Sequence, residues 1–237
     1  MSKIRILGKN PLRWFYESLQ RYGLGQTLVI MWSVFVDMGF DFRYGTDTAR
    51  RIPRNEIATN SENLVHCVNY GASKELPFRA LMRRLKLPKD GVFVDLGSGK
   101  GRALMLAAKY GFQKVIGIEF SGALCATARE NVRKFLLKCP ARSRIEIIES
   151  DVTKYQLSDE ETVFFMLDPF NAPVLTEMMK NIRASVERKP RPIWLIYSVP
   201  REQHIIDQAG IFTQNELHVV VGAEFRVYSN ERAAAIC

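Results

Sequence analysis

Asp95-Leu96-Gly97-Ser98-Gly99-Lys100-Gly101-Arg102 is the stretch on which the fold turns. It follows a β-rich run, Val92–Leu96 (VFVDL), and opens a helical one, Arg102–Tyr110 (RALMLAAKY). Glycines between strand and helix permit a tight turn and let a ligand come close to the backbone. Two phosphate-binding patterns fail on the letters. Gly-x-Gly-x-x-Gly needs glycine at 102, where Arg102 stands. A P-loop needs Ser or Thr after Gly-Lys, but Gly101 follows Gly99-Lys100, and no glycine stands five residues before Gly99.

The acidic residues point to a different ligand. Asp95 ends the strand before the glycines. Glu119 ends the next β-rich run, Val115–Phe120, where a carboxylate accepts hydrogen bonds from both hydroxyls of a ribose. Asp151 follows a third run, Arg144–Ile148, in position to accept from the exocyclic amine of an adenine. Three carboxylates suit a ligand with an amino group, a ribose and a positive centre. They would repel a pyrophosphate.

Farther out, strands and helices alternate. Helical patterns cover Glu75–Leu87, Gly122–Lys138, Ala172–Val186 and Glu202–Gly210. Further strands are Val163–Leu167 and Ile193–Tyr197, and Leu217–Val221 with Phe225–Tyr228 reads as a closing hairpin. Buried strands alternating with helices predict a parallel, doubly wound, Rossmann-like α/β sheet. The hairpin makes its last strand antiparallel.

The first 60 residues read as a basic helical extension, followed by the main domain over residues 61–237. Residues 11–22 are helical in pattern, with Gly23 and Gly25 ending it. The apolar run Leu28–Phe40 is thirteen residues long and holds Asp37; a spanning helix needs about 20. It is expected to pack on the domain, with Trp14, Phe15, Leu28, Ile30, Trp32 and Phe35 buried. Weak contact with a membrane surface is the other reading. Residues 41–60 read as a loop.

Composition is that of a soluble globular protein, with 47% apolar and 25% charged residues in 237. The net charge is +9 and the pI about 9.5, which favours acidic partners. Residues 1–55 hold nine of the basic residues and four of the acidic ones. Four scattered cysteines and three histidines make no metal-ligand spacing, so no metal is expected. Together with the absence of a secretory pattern, they favour a reducing, cytoplasmic setting.

DLGSGKG, GIEF, ESDV and LDPF, in that order, resemble a class I, seven-stranded S-adenosylmethionine-dependent methyltransferase over about residues 65–230. The segment Phe40-Asp41-Phe42-Arg43-Tyr44-Gly45-Thr46-Asp47-Thr48 resembles that of a bacterial methyltransferase group. The Val-Asp-Leu-Gly-Ser-Gly core is locally similar to non-SET histone lysine methyltransferases; histone specificity is not carried over.

The resemblance implies S-adenosylmethionine as cofactor. Asp95, Gly97, Ser98, Gly99 and Gly101 would line its methionine and ribose, and Glu119 would hold the ribose hydroxyls. Asp151 and Val152 would frame the adenine, and Tyr70 would stand beside the cofactor. The loop Asp168-Pro169-Phe170-Asn171 takes the catalytic, acceptor-side place, where many amine methyltransferases carry Asp/Asn-Pro-Pro-aromatic. Here there is one proline, and the aromatic comes one place early. The expected activity is methyl transfer to an acceptor, with protein lysine slightly ahead. The alternatives are a nucleic-acid methyltransferase and a non-catalytic cofactor-binding module.

Overall fold

Val92–Leu96 is apolar at every position but Asp95, so it needs cover on both faces. The computed structural model, which describes residues 11–53, 56–57, 70–168 and 170–230, supplies it. The strands are β1 (Val92–Leu96), β2 (Lys114–Glu119), β3 (Arg144–Glu149), β4 (Glu161–Leu167), β5 (Trp194–Ser198), β6 (Gln214–Val220) and β7 (Ala223–Ser229). The helices are α1 (Pro11–Tyr44), α2 (Glu75–Leu85), α3 (Arg102–Tyr110), α4 (Gly122–Lys138), α5 (Ala172–Arg188) and α6 (Gln203–Ala209).

All seven strands form one sheet, in the order β3-β2-β1-β4-β5-β7-β6. The first five are parallel, with Val94 opposite Ile116 on one side and Phe164 on the other. β7 lies between β5 and β6 and is antiparallel to both. Strand order reverses at β1 and β4, so their carboxyl ends flank the crevice where such sheets bind ligands.

Alternate side chains of the central strands enter two apolar layers. Phe93, Val115, Phe165 and Ile196 pack with Phe78 and Leu81 of α2, Leu104 of α3 and Phe135 of α4. Val94, Ile116, Phe164 and Met166 pack with Leu175, Met178 and Ile182 of α5 and Ile206 of α6.

The N-terminal segment departs from expectation. The two helical patterns join into α1, broken only by Gly23 at φ 75°. The helix runs to Tyr44, into the stretch read as a loop. From Phe15 to Tyr44 it is long and apolar enough, by length and composition, to cross a membrane. Yet one face is packed on the domain. Ile30 lies over Gly222, in the β6–β7 turn, where a Cβ would come within 2.8 Å of it. Phe40 and Tyr44 join the core beside Phe135.

The burial expected along α1 is also corrected. Ile30 is buried at 2% exposure, but Leu28, Trp32 and Phe35 are 52%, 64% and 60% exposed. Phe15 is half-buried, and the side chain of Trp14 lies outside the described residues. The helix turns Ser18, Thr27 and Ser33 inward, so composition alone misassigned its faces.

Candidate active site

The β1–α3 turn forms the floor of an open cavity. Gly97, Gly99 and Gly101 all have positive φ, which glycine adopts without steric cost. At Gly99 there is a second requirement: a Cβ would meet the Tyr70 ring at 2.3 Å. Tyr70 is fixed by its backbone bridge to Ile52 and by its hydroxyl, which donates to the Thr48 carbonyl at 2.9 Å.

Asp95, Gly97, Ser98, Gly99, Glu119 and Tyr70 line this cavity together. Gly101 is not part of the lining and opens α3 as its N-cap. Glu119 accepts from the Gly99 amide at 2.9 Å and the Ser121 amide at 3.0 Å. Burial raises its pKa against the pull of those amides. Asp95 is buried, and no hydrogen bond to its carboxylate is found among the described residues. Burial, with the Glu119 charge adding to it, pushes its pKa up to about 8.

A smaller cavity adjoins the first, sharing Gly97, Phe120 and Phe170. Asp151 and Val152 line it. The Asp151 carboxylate also closes its own turn, accepting from the Thr153 amide at 2.9 Å and hydroxyl at 2.7 Å.

Phe170 thus forms a wall of both cavities. Asp168, just past Leu167 of the first cavity, makes a corner of its own. It has φ 40°, an uncommon conformation for a residue with a Cβ. Tyr197 donates to it at 3.1 Å, and Arg201 pairs with it at 2.8 Å. Burial pushes its pKa up to about 6, against the pull of Arg201 and Tyr197. Asn171 is the N-cap residue of α5, and Pro169 lies outside the described residues.

Reading the sequence passed over a buried network that joins α1 to the glycine turn. Arg102 lines the first cavity, and its Nε donates to the Thr48 hydroxyl at 2.6 Å. Its guanidinium lies 3.6 Å from Asp41, 3.9 Å from Asp37 and over the Phe40 ring. One terminal nitrogen, Nη2, is buried with no hydrogen-bond partner among the described residues. Lys100 pairs with Asp47 at 3.0 Å. Asn131 of α4 exchanges two hydrogen bonds with Asp47 and donates a third to the Lys100 carbonyl. The available signal was the Phe40–Thr48 segment, whose Asp and Thr residues supply these contacts.

The residues present fit S-adenosylmethionine. Asp95 is a buried carboxylate without a hydrogen-bond partner among the described residues, matched to an ammonium. Arg102 lines the same cavity, its Nη2 buried 3.6 Å from Asp41 and without a hydrogen-bond partner among the described residues. Glu119 keeps lone pairs for hydroxyl donors.

Comparison with known proteins bears on the domain and its fold. A family model described as a methyltransferase domain matches residues 93–189. A lysine N-methyltransferase of Caenorhabditis elegans, named for a component of ATP synthase, is 32% identical over 108 residues, 44% of this chain and 54% of that protein. The match thus spans about half the length of that relative. A protein-lysine N-methyltransferase of Saccharolobus islandicus (strain REY15A) is 24% identical over 126 residues, 53% of this chain and 71% of that protein. The structure of a SAM dependent methyltransferase from Aquifex aeolicus is alike in fold, with TM-score 0.50 and 19% identity, covering 65% of this chain and 89% of that one. Residues 93–189 thus match a methyltransferase domain, and they lie within a seven-stranded sheet completed by a closing hairpin.

Proposed function

We propose that the protein transfers a methyl group from S-adenosylmethionine to the side-chain amine of a protein lysine. The observation that carries the reading is the buried carboxyl of Asp95, without a hydrogen-bond partner among the described residues, beside Glu119 and Arg102 in one cavity at the carboxyl ends of β1 and β2. The lysine reading draws support from the two relatives named as lysine N-methyltransferases.

When bound, S-adenosylmethionine supplies an electrophilic methyl group on a sulfonium. The chain's task is to hold the partners and exclude water. Asp95 binds the ammonium, Arg102 the carboxylate and Glu119 the ribose hydroxyls, while Asp151 and Val152 frame the base. Phe170 closes the wall between the two cavities. Asp168 orients the incoming amine, which must be neutral to attack. Arg201 occupies the Asp168 carboxylate in the absence of acceptor and yields it to the amine.

Two variants and a labelling experiment test this. Glu119→Ala should weaken cofactor binding by about 1.5–3 kcal/mol, as charge-assisted hydrogen bonds are lost. Asp168→Ala should leave cofactor affinity within about threefold and slow transfer by about 10²-fold or more. Labelled cofactor with fractionated lysate should place label on lysine in protein. Label in nucleic acid would overturn the acceptor assignment, and an Asp168→Ala enzyme with full turnover would remove Asp168 from the chemistry.

A further inference from the structure

Helix α1 is inverted relative to an ordinary surface helix. Its inward face carries Ser18, Thr27 and Ser33 with Ile30, Phe40 and Tyr44. The hydroxyls of Thr27 and Ser33 are buried without partners among the described residues. Its outward face carries Leu24, Leu28, Trp32, Phe35, Met38 and Phe42, with Val29 alongside, all exposed. Steps of three and four residues place the six in one stripe about 27 Å long. No charged residue interrupts the exposed positions between Arg21 and Phe42. Soluble proteins rarely leave an apolar strip of this size uncovered.

Charge says what covers it. Arg21, 3.8 Å from Glu224, and Arg43, paired with buried Glu75 at 3.3 Å, bracket the stripe, and Arg50 and Arg51 follow it, all four exposed. Helix α2, packed beside α1, adds exposed Arg83, Arg84 and Lys86. The exposed acidic residues of this segment are committed: Glu17 to Arg13 and Asp47 to Lys100. A second copy laid antiparallel along the stripe would set Arg21 against Arg43, like charge on like. An anionic bilayer instead presents phosphates to the arginines and acyl chains to the stripe. An apolar face with an aromatic centre and basic flanks is the pattern of a helix lying in the membrane interface.

We infer that α1 docks the protein on an anionic lipid surface, lying flat with Leu28, Trp32, Phe35 and Phe42 among the acyl chains. The opposite face stays on the domain, so the helix does not span. Its carboxyl end is joined through Asp41 and Thr48 to Arg102 of the cofactor cavity.

Flotation of the full chain with vesicles tests this without cofactor or acceptor, so its outcome is separate from that of methyl transfer. The protein should float with phosphatidylcholine–phosphatidylglycerol vesicles. It should float less with phosphatidylcholine alone, or at high salt, as screening predicts. Trp32→Glu with Phe35→Glu should weaken binding by about tenfold or more, with the melting temperature retained because both sites are exposed. Arg50→Glu with Arg51→Glu should weaken binding to the anionic vesicles alone. Three results would overturn the inference: no flotation with either vesicle, binding unchanged in both double variants, or a dimer that Trp32→Glu with Phe35→Glu splits.

Discussion

A carboxyl with a pKa of about 8 is mostly protonated at neutral pH, and Asp95 is such a group. The folded chain holds this proton more tightly than the unfolded chain, where an aspartate titrates near 3.9. Its contribution to stability is therefore complete below about pH 4 and lost as the pH rises through about 8. Asp95→Asn should abolish that part of the pH dependence, read from urea midpoints across this window. Binding of an ammonium beside Asp95 favours the ionised form and expels the proton. Cofactor affinity should then rise with pH, by up to about tenfold per unit between about pH 6 and 8. Calorimetry in two buffers of different ionisation heat measures the released proton, and heats that are the same in both would remove Asp95 from the ammonium site. The sequence already marked Asp95 and Glu119, because each lies at the carboxyl end of a β-rich run, the first just before the glycine turn. It did not mark Arg102, whose partners Asp37, Asp41 and Thr48 stand more than fifty residues earlier. Nor did it pair Asp168 with Arg201, which α5 and β5 separate.

Among the elements, β1, α3 and α4 were legible to the residue, because their ends are chemically marked. Gly111 takes φ 113° after α3, and the Ser121 hydroxyl accepts the Leu124 amide at the start of α4. The facing of α1 was not legible, since both of its faces hold large apolar residues and only packing chooses between them. Its junction with the domain centres on Asp41. The Thr46 and Thr48 hydroxyls and the Thr48 and Ala49 amides all donate to this one carboxylate, over 2.6–2.9 Å. Burial works against its charge, but these donors outweigh it and hold its pKa below the usual value. The stabilisation is present above about pH 4 and lost as the pH falls below it. Asp41→Ala leaves buried donors without partners and should cost about 1–3 kcal/mol in urea unfolding. It should also weaken cofactor binding, because Thr48 no longer steadies Arg102. Unchanged cofactor affinity would show that the junction serves folding alone.

For the molecule as a whole, the extension and the sheet share one core. Ile30, Phe40 and Tyr44 are buried against the domain. At about 1.5–3 kcal/mol for each large side chain, their loss approaches the stability of a whole domain, about 5–15 kcal/mol. A chain lacking residues 1–49 should therefore melt far lower and fail to bind cofactor. A truncated protein that melts like the full chain would show that α1 is only an attachment. The place of β7 bears on a different matter, the order of synthesis. β7 is the last strand made, yet it lies inside the sheet, between β5 and β6. Until residue 229 leaves the ribosome, β5 is an open edge and β6 has no neighbour in the sheet. The nascent chain thus carries an exposed, apolar strand edge from the synthesis of β5 to that of β7, a template for pairing with other chains. Completion of the fold waits on the final hairpin, so the cofactor crevice at β1 and β4 is framed before the sheet that supports it is closed.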